Sequence, residues 1–330
     1  MRKGGEFNFV WLFALIAGAA ILFLAIFGAL KTADTERFKS DTEVAREISI
    51  LTNPLQAGFA SGSFGKIEFN DETWINNVCL SQKDDGKTFA SSDATPNQDS
   101  EPAKVFFGKN DISVSTRSDI GQEWNTAGGA TSIYNKYIFS NTKNTGKDYY
   151  VFSKPFNFPY KVADIVFLTT ANYCFVDAPT DIQKEIIGLN IPNIEISPNC
   201  TLATPIRVCF GAGGKNCEIN VIGDENSGHV EKYGISMSYS GNLMYAAIFS
   251  DKGIYDCNVE RLMQRTAKIA EELSEKAELL NSRGCGTNMK PHLEFWYSST
   301  INADVNDLVE LADEAKGIEN ENERELCGVW

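Results

Sequence analysis

From Phe9 to Leu30 the chain runs through 22 residues without a charge, and each flank turns polar at once. At about 1.5 Å per helical residue such a run covers roughly 33 Å, enough for a hydrocarbon core. It is apolar on every face, without the polar stripe of a globular-protein helix, and predicts a transmembrane segment. A cleaved signal peptide is the poorer match. It needs an apolar region of roughly 7 to 15 residues before a small-x-small site, and here Ala17-Gly18-Ala19 is followed by a further apolar stretch, Ala20 to Ala29. From Lys31 to Asn53 there is no Pro or Gly, and Phe38, Val44, Ile48 and Leu51 recur at roughly helical spacing. The helix is therefore expected to continue as a stalk whose distal part docks on a domain. Pro54 and AGFASGSFG end it.

From about residue 54 to 250 the pattern changes to short alternating or aromatic-rich runs. KIEFN, TWINNVCL, KVFFG, DISVS, SIYNKYIFS, DYYVFS, KVADIVFLTT, NYCFVD, NIEIS, PIRVCFG, CEINVIG, ISMSYS and LMYAAIFS all read as strands. One helix is expected at DIQKEIIGL, after Pro179 and with Thr180 as N-cap. The stretch SQKDDGKTFASSDATPNQDSEP has almost no large apolar residue and reads as an exposed loop. Farther on, Val259, Thr266, Leu273 and Leu280 fall seven apart, with Met263, Ala270 and Ala277 four residues after the first three. That spacing predicts a long helix with a heptad-like seam, stopped at Gly284. A second helix, NADVNDLVELADEAKG, offers Val305, Leu308, Ala312 and Ala315 as its stripe. The seam is expected to pack on the β domain or the partner helix, with an intermolecular coiled coil as the alternative.

The expected fold is thus α+β. It has a cytoplasmic tip and transmembrane anchor (1–30), a helical stalk (31–53), a β-rich, sandwich-like ectodomain (54–250) and a C-terminal antiparallel helical hairpin (251–330). Charge fixes the orientation. Arg2 and Lys3 precede the apolar run with Glu6 the only acid there, so the N-terminus stays in the cytoplasm and the remaining chain lies outside. Net charge over the 330 residues is −14. An acidic exterior disfavours nucleic acid as a partner. The bilayer, through residues 9–30, is the one partner implied directly, beside an unidentified protein or self-assembly.

Eight cysteines (Cys79, Cys174, Cys200, Cys209, Cys217, Cys257, Cys285 and Cys327) all follow the apolar run. An even number in an oxidising compartment implies disulfides. Cys209 and Cys217 flank a Gly-rich turn between two alternating runs, which predicts a bridged β-hairpin. Cys257 and Cys285 sit at opposite ends of the long helix, about 40 Å apart, and cannot pair with each other. Cys327 is the natural partner for one of them, and Cys79 with Cys174 is a further pairing that no local feature fixes.

Chemistry is thin. No C-x-x-C pair exists and only His229 and His292 could add ligands, so no metal is expected. GAGGK lacks the first glycine and the Ser or Thr of a phosphate loop, which are Cys209 and Asn216 here. No G-x-S-x-G, H-E-x-x-H or calcium-loop pattern occurs, so neither a catalytic set nor a cofactor is expected. Asn199-Cys200-Thr201 is an N-glycosylation sequon in form. The short basic head, glycines and long apolar helix running into a β domain resemble type IV pilin-like proteins. The resemblance implies a minor filament subunit, although Lys3-Gly4-Gly5-Glu6 departs from the usual processing site. The run IYDCNVERLMQRTAKIAEELSEKAELLNSRGCGTN with the terminal ELCGVW resembles uncharacterised membrane-anchored surface proteins of small-genome archaea, a likeness that implies no activity. The expected function is a non-catalytic single-pass surface protein that binds a partner or joins an envelope assembly. A filament subunit and an extracytoplasmic enzyme are the alternatives.

Overall fold

The computed structural model describes residues 17–27, 64–81, 107–116, 130–211 and 217–330. Arg2, Lys3, the stalk at 31–53 and nearly all of the polar loop lie outside the described residues, as do the two ends of the apolar run. Residues 17–27 are helical (α1), and all but Ala17 are exposed. Among the described residues no helix is both long and apolar enough to cross a membrane.

Among the described residues two six-stranded sheets and six helices make an α+β fold. The first sheet holds β1 (Phe64–Leu80), β2 (Lys109–Thr116), β3 (Thr131–Ile133), β4 (Tyr137–Phe139), β5 (Lys143–Asn157) and β6 (Lys161–Thr169). Its order is β3-β2-β1-β5-β6-β4, antiparallel except at β4 and β6. KIEFN and TWINNVCL are one strand, bent by a register shift against β5 between Glu68 and Thr73. The second sheet holds β7 (Tyr173–Val176), β8 (Ile194–Ile196), β9 (Ile206–Phe210), β10 (Ile219–Gly223), β11 (Ser227–Lys232) and β12 (Ile235–Ser240). In the order β12-β11-β10-β9-β7-β8, the strands from β10 to β8 are parallel and those from β12 to β10 antiparallel. The helices are α2 (Thr180–Leu189), α3 (Leu243–Phe249), α4 (Lys252–Ser282), α5 (Met289–Thr300) and α6 (Leu308–Arg324).

The first sheet curls until β2 and β4 touch across three intervening strands. Its concave face buries Ile75, Ile112, Ile133, Ile138, Tyr149 and Val166, one from each strand. The seam between β2 and β4 is joined by side chains, not by a ladder. Asn110 on β2 reaches both backbone groups of Ile138, accepting from its N–H (3.4 Å) and donating to its carbonyl (3.5 Å). Asn77 and Asn258 donate to the same carbonyl at 3.0 and 2.9 Å. Arg261 of α4, fully buried, completes the seam. Its guanidinium donates to Asn110 Oδ1 (2.5 Å), Asn258 Oδ1 (2.7 Å) and the carbonyls of Phe107 (2.9 Å), Gly108 (3.3 Å), Tyr134 (3.0 Å) and Lys136 (3.2 Å). Among the described residues every one of these acceptors is neutral. Burial pushes the Arg261 pKa down to about 10. The Cys79–Cys257 disulfide ties β1 to the same stretch of α4.

Three expectations are corrected. LMYAAIFS is the helix α3, not a strand. It lies between the two sheets, packing on β6 on one side and on β11 and β12 on the other. With apolar neighbours on both sides all seven of its residues are buried, so neither a period of 2 nor one of 3.6 is visible in it. The sheets therefore do not form a plain sandwich. Phe249 of α3 meets Phe152 (5.4 Å between centroids) on one side and Tyr173 (4.7 Å) on the other. Second, β9 and β10 pair in parallel, so the segment containing Cys209 and Cys217 is not a hairpin. Third, α4 takes α5 as its helical partner, and NADVNDLVELADEAKG, which gives α6, packs on β11 and β12. The helix α5 begins at Met289, so Pro291 falls in the first turn, where no N–H is needed. The seam residues Val259, Met263, Ala270 and Ala277 belong to the same core as the sheets. Gly284 (φ +84°) ends α4 in a Schellman motif, with Cys285 N donating to Leu280 O and Gly284 N to Asn281 O.

Candidate binding cleft

An inward-facing lysine stands next to the residues of one cleft. On β5 the residues Phe152, Lys154 and Phe156 share a face, and the two phenylalanines are core. Lys154 is almost fully buried and forms an ion pair with Glu185 of α2. The Tyr245 hydroxyl on α3 donates to the other Glu185 oxygen at 2.6 Å, and Lys154 Nζ lies 5.7 Å from the Tyr245 ring centroid. Burial pushes the lysine down to about 8, while the carboxylate beside it favours the charged form. Tyr245 is pushed well above the usual tyrosine range by burial and serves as a neutral donor.

Glu185 and Tyr245 line a cleft of about 470 Å³ together with Phe156, Asp181, Ile182, Glu225 and Asn242 among others. A second hollow of about 360 Å³ shares Asn157 and Gly241 with it and reaches α6 at Asp313, Lys316 and Glu319. Together they make a groove with acids at Asp181, Glu185, Glu225, Asp224, Asp313 and Glu319. Asp224 is committed to its own turn, accepting from Asn226 N (2.8 Å) and Ser227 N (3.0 Å), which holds its pKa low. Such a lining favours positively charged groups and opposes phosphate backbones.

The cysteines are placed in four pairs, with no free thiol: Cys79–Cys257, Cys174–Cys200, Cys209–Cys217 and Cys285–Cys327. Cys79 and Cys174 are not brought together, because Cys79 faces α4 and Cys174 faces the β8–β9 loop. Cys285 finds Cys327 where the chain returns past the end of α6. No thiolate is left to act as a nucleophile beside either histidine. His229 is half-exposed on β11 with Nε2 4.0 Å from Glu231, and His292 lies on the exposed side of α5. Among the described residues no group of three His, Cys, Asp or Glu side chains could hold a metal ion. Asn199 is exposed in the loop after β8. No known protein family, curated protein or solved structure matches the chain.

Proposed function

We propose that the chain is a non-catalytic single-pass surface protein, anchored through residues 9–30, whose disulfide-stapled domain lies outside the cytoplasm and binds a partner there. The observation that carries this reading is the pairing of all eight cysteines. Four bridges fit an oxidising compartment. The exposure of Ile21, Leu22, Phe23, Leu24, Ile26 and Phe27 on a helix supports an apolar setting for α1, since each is more than half exposed. The acidic groove is the surface that we assign to the partner, which must present positive charge. Treatment of intact cells with a membrane-impermeant protease tests the topology. Digestion of the domain without lysis is expected, and digestion only after lysis overturns the reading.

The exposed apolar helix favours one second reading, a pilin-like subunit that buries the helix in a filament core. Sequencing the mature N-terminus separates the two. An intact Met1-Arg2-Lys3 supports the anchor, and cleavage after Gly4 or Gly5 supports the filament.

A further inference from the structure

We infer that Asn199 is an N-glycan attachment site, filled before the Cys174–Cys200 disulfide closes. The inference rests on the extracytoplasmic reading. Asn199-Cys200-Thr201 lies in the loop between β8 and β9. Asn199 is exposed, and its hydrogen bonds are made by its backbone: the N–H donates to Ser197 Oγ and the carbonyl accepts from the same hydroxyl, both at 3.1 Å. Among the described residues its side-chain amide makes no bond, so a glycan on Nδ2 displaces nothing.

The other two residues of the sequon set the order of events. Thr201 is held by Glu195, whose Oε2 accepts from Thr201 N (2.8 Å), Thr201 Oγ1 (3.1 Å) and Leu202 N (3.2 Å). Those backbone and hydroxyl donors hold the carboxyl below the ordinary glutamate range, so it stays an anion. Cys200 is bridged to Cys174, which is fully buried beside β8. Once folded, the loop is pinned at Cys200 and Thr201, and the hydroxyl that defines the sequon is already engaged. A transferase must therefore meet the loop while it is open. The co-reactant is a glycan linked through its anomeric carbon to a polyprenyl phosphate or diphosphate. Asn199 Nδ2 attacks that carbon, the C–N bond forms as the C–O bond to phosphorus breaks, the phosphate leaves with the electron pair, and the amide proton passes to a base of the transferase.

The position has a structural consequence. Among the described residues β8 is the last strand of its sheet, with β7 as its sole strand partner. A glycan three residues beyond Ile196 would stand beside that open edge and hinder pairing with another chain.

The test uses the full-length chain isolated from the membranes of the cells that make it naturally, mapped by mass spectrometry without reduction. A glycan mass on the peptide containing Asn199 is expected, lost in Asn199→Gln and Thr201→Val and retained in Thr201→Ser. In a pulse-chase with thiol trapping, the glycan should appear on chains whose Cys200 is still a free thiol. An unmodified Asn199 in a chain with four disulfides overturns this inference and leaves the compartment reading standing. An unmodified Asn199 with eight free thiols overturns both. A glycan that arrives only after Cys200 is oxidised overturns the order.

Discussion

Replacing Arg261 by Met tests whether the seam of the curled sheet is held by its guanidinium. The substitution keeps the apolar stem and removes six hydrogen bonds, three of them buried and three partly buried. At about 1 kcal/mol net for each, their loss costs about 6 kcal/mol. The variant is also spared the burial of a charge, which the fall of the arginine pKa to about 10 puts at about 3 kcal/mol. The difference is a loss of about 3 kcal/mol, or a melting temperature lower by about 6 to 12 °C for a domain of this class. Thermal unfolding followed by circular dichroism without reductant reads it directly. Arg261→Lys should fall between, because an ammonium offers three donors to six acceptors. Midpoints within about 2 °C of wild type for Arg261→Met would refute the reasoning and mean that water satisfies the seam equally well.

Loop-closure entropy ranks the bridges: removing Cys79–Cys257, which spans 178 residues, should cost about 5 kcal/mol, against about 2.5 for Cys209–Cys217, which spans 8. Urea midpoints of the two paired Cys→Ala variants check this, and a reversed order contradicts it. Phe249→Ala removes the ring that joins both sheets and should cost about 3 to 5 kcal/mol by the same measurement. Glu185→Gln leaves Lys154 buried without its counter-charge and should cost about 3 kcal/mol, whereas Tyr245→Phe should cost about 1. Lys232, buried and donating to Ile248 O and Ser250 O, is pushed by burial to about 8. Between that value and about 10.4 the unfolded chain binds more protons than the folded one, so stability rises with pH. Wild type should gain about 2 kcal/mol relative to Lys232→Met between pH 8 and 10, and parallel urea midpoints across that range would contradict it.

Alternation made most of β1, β2, β5, β6, β7, β9, β10 and β12 legible, helical spacing revealed α4 and α6, and the start signal at Pro179 revealed α2, whose N-cap is Pro179 and not Thr180. β11 (SGHVEK) was hidden because it turns a single apolar side chain, Val230, into the core. Helix α3 was hidden by complete burial, and α5 by a proline that its first turn tolerates. The parallel pairing of β9 and β10 depends on β9 lying between β7 and β10, which a local turn signature does not record. Length along α4 was enough to keep Cys257 from Cys285, but the partner of Cys79 depends on the sheet curling toward that helix. The cleft had one local signal, a lysine in register with Phe152 and Phe156, and its counter-charge arrives from α2. Arg261 gave none, since an arginine on a long charged helix ordinarily faces water.

The measurement that bears most directly on the compartment is the redox state of the cysteines in the chain as the cell makes it. Acid quenching, alkylation without reduction and peptide mapping should find no free thiol and the four linkages Cys79–Cys257, Cys174–Cys200, Cys209–Cys217 and Cys285–Cys327. Eight alkylated thiols would contradict the account and place the domain in a reducing compartment.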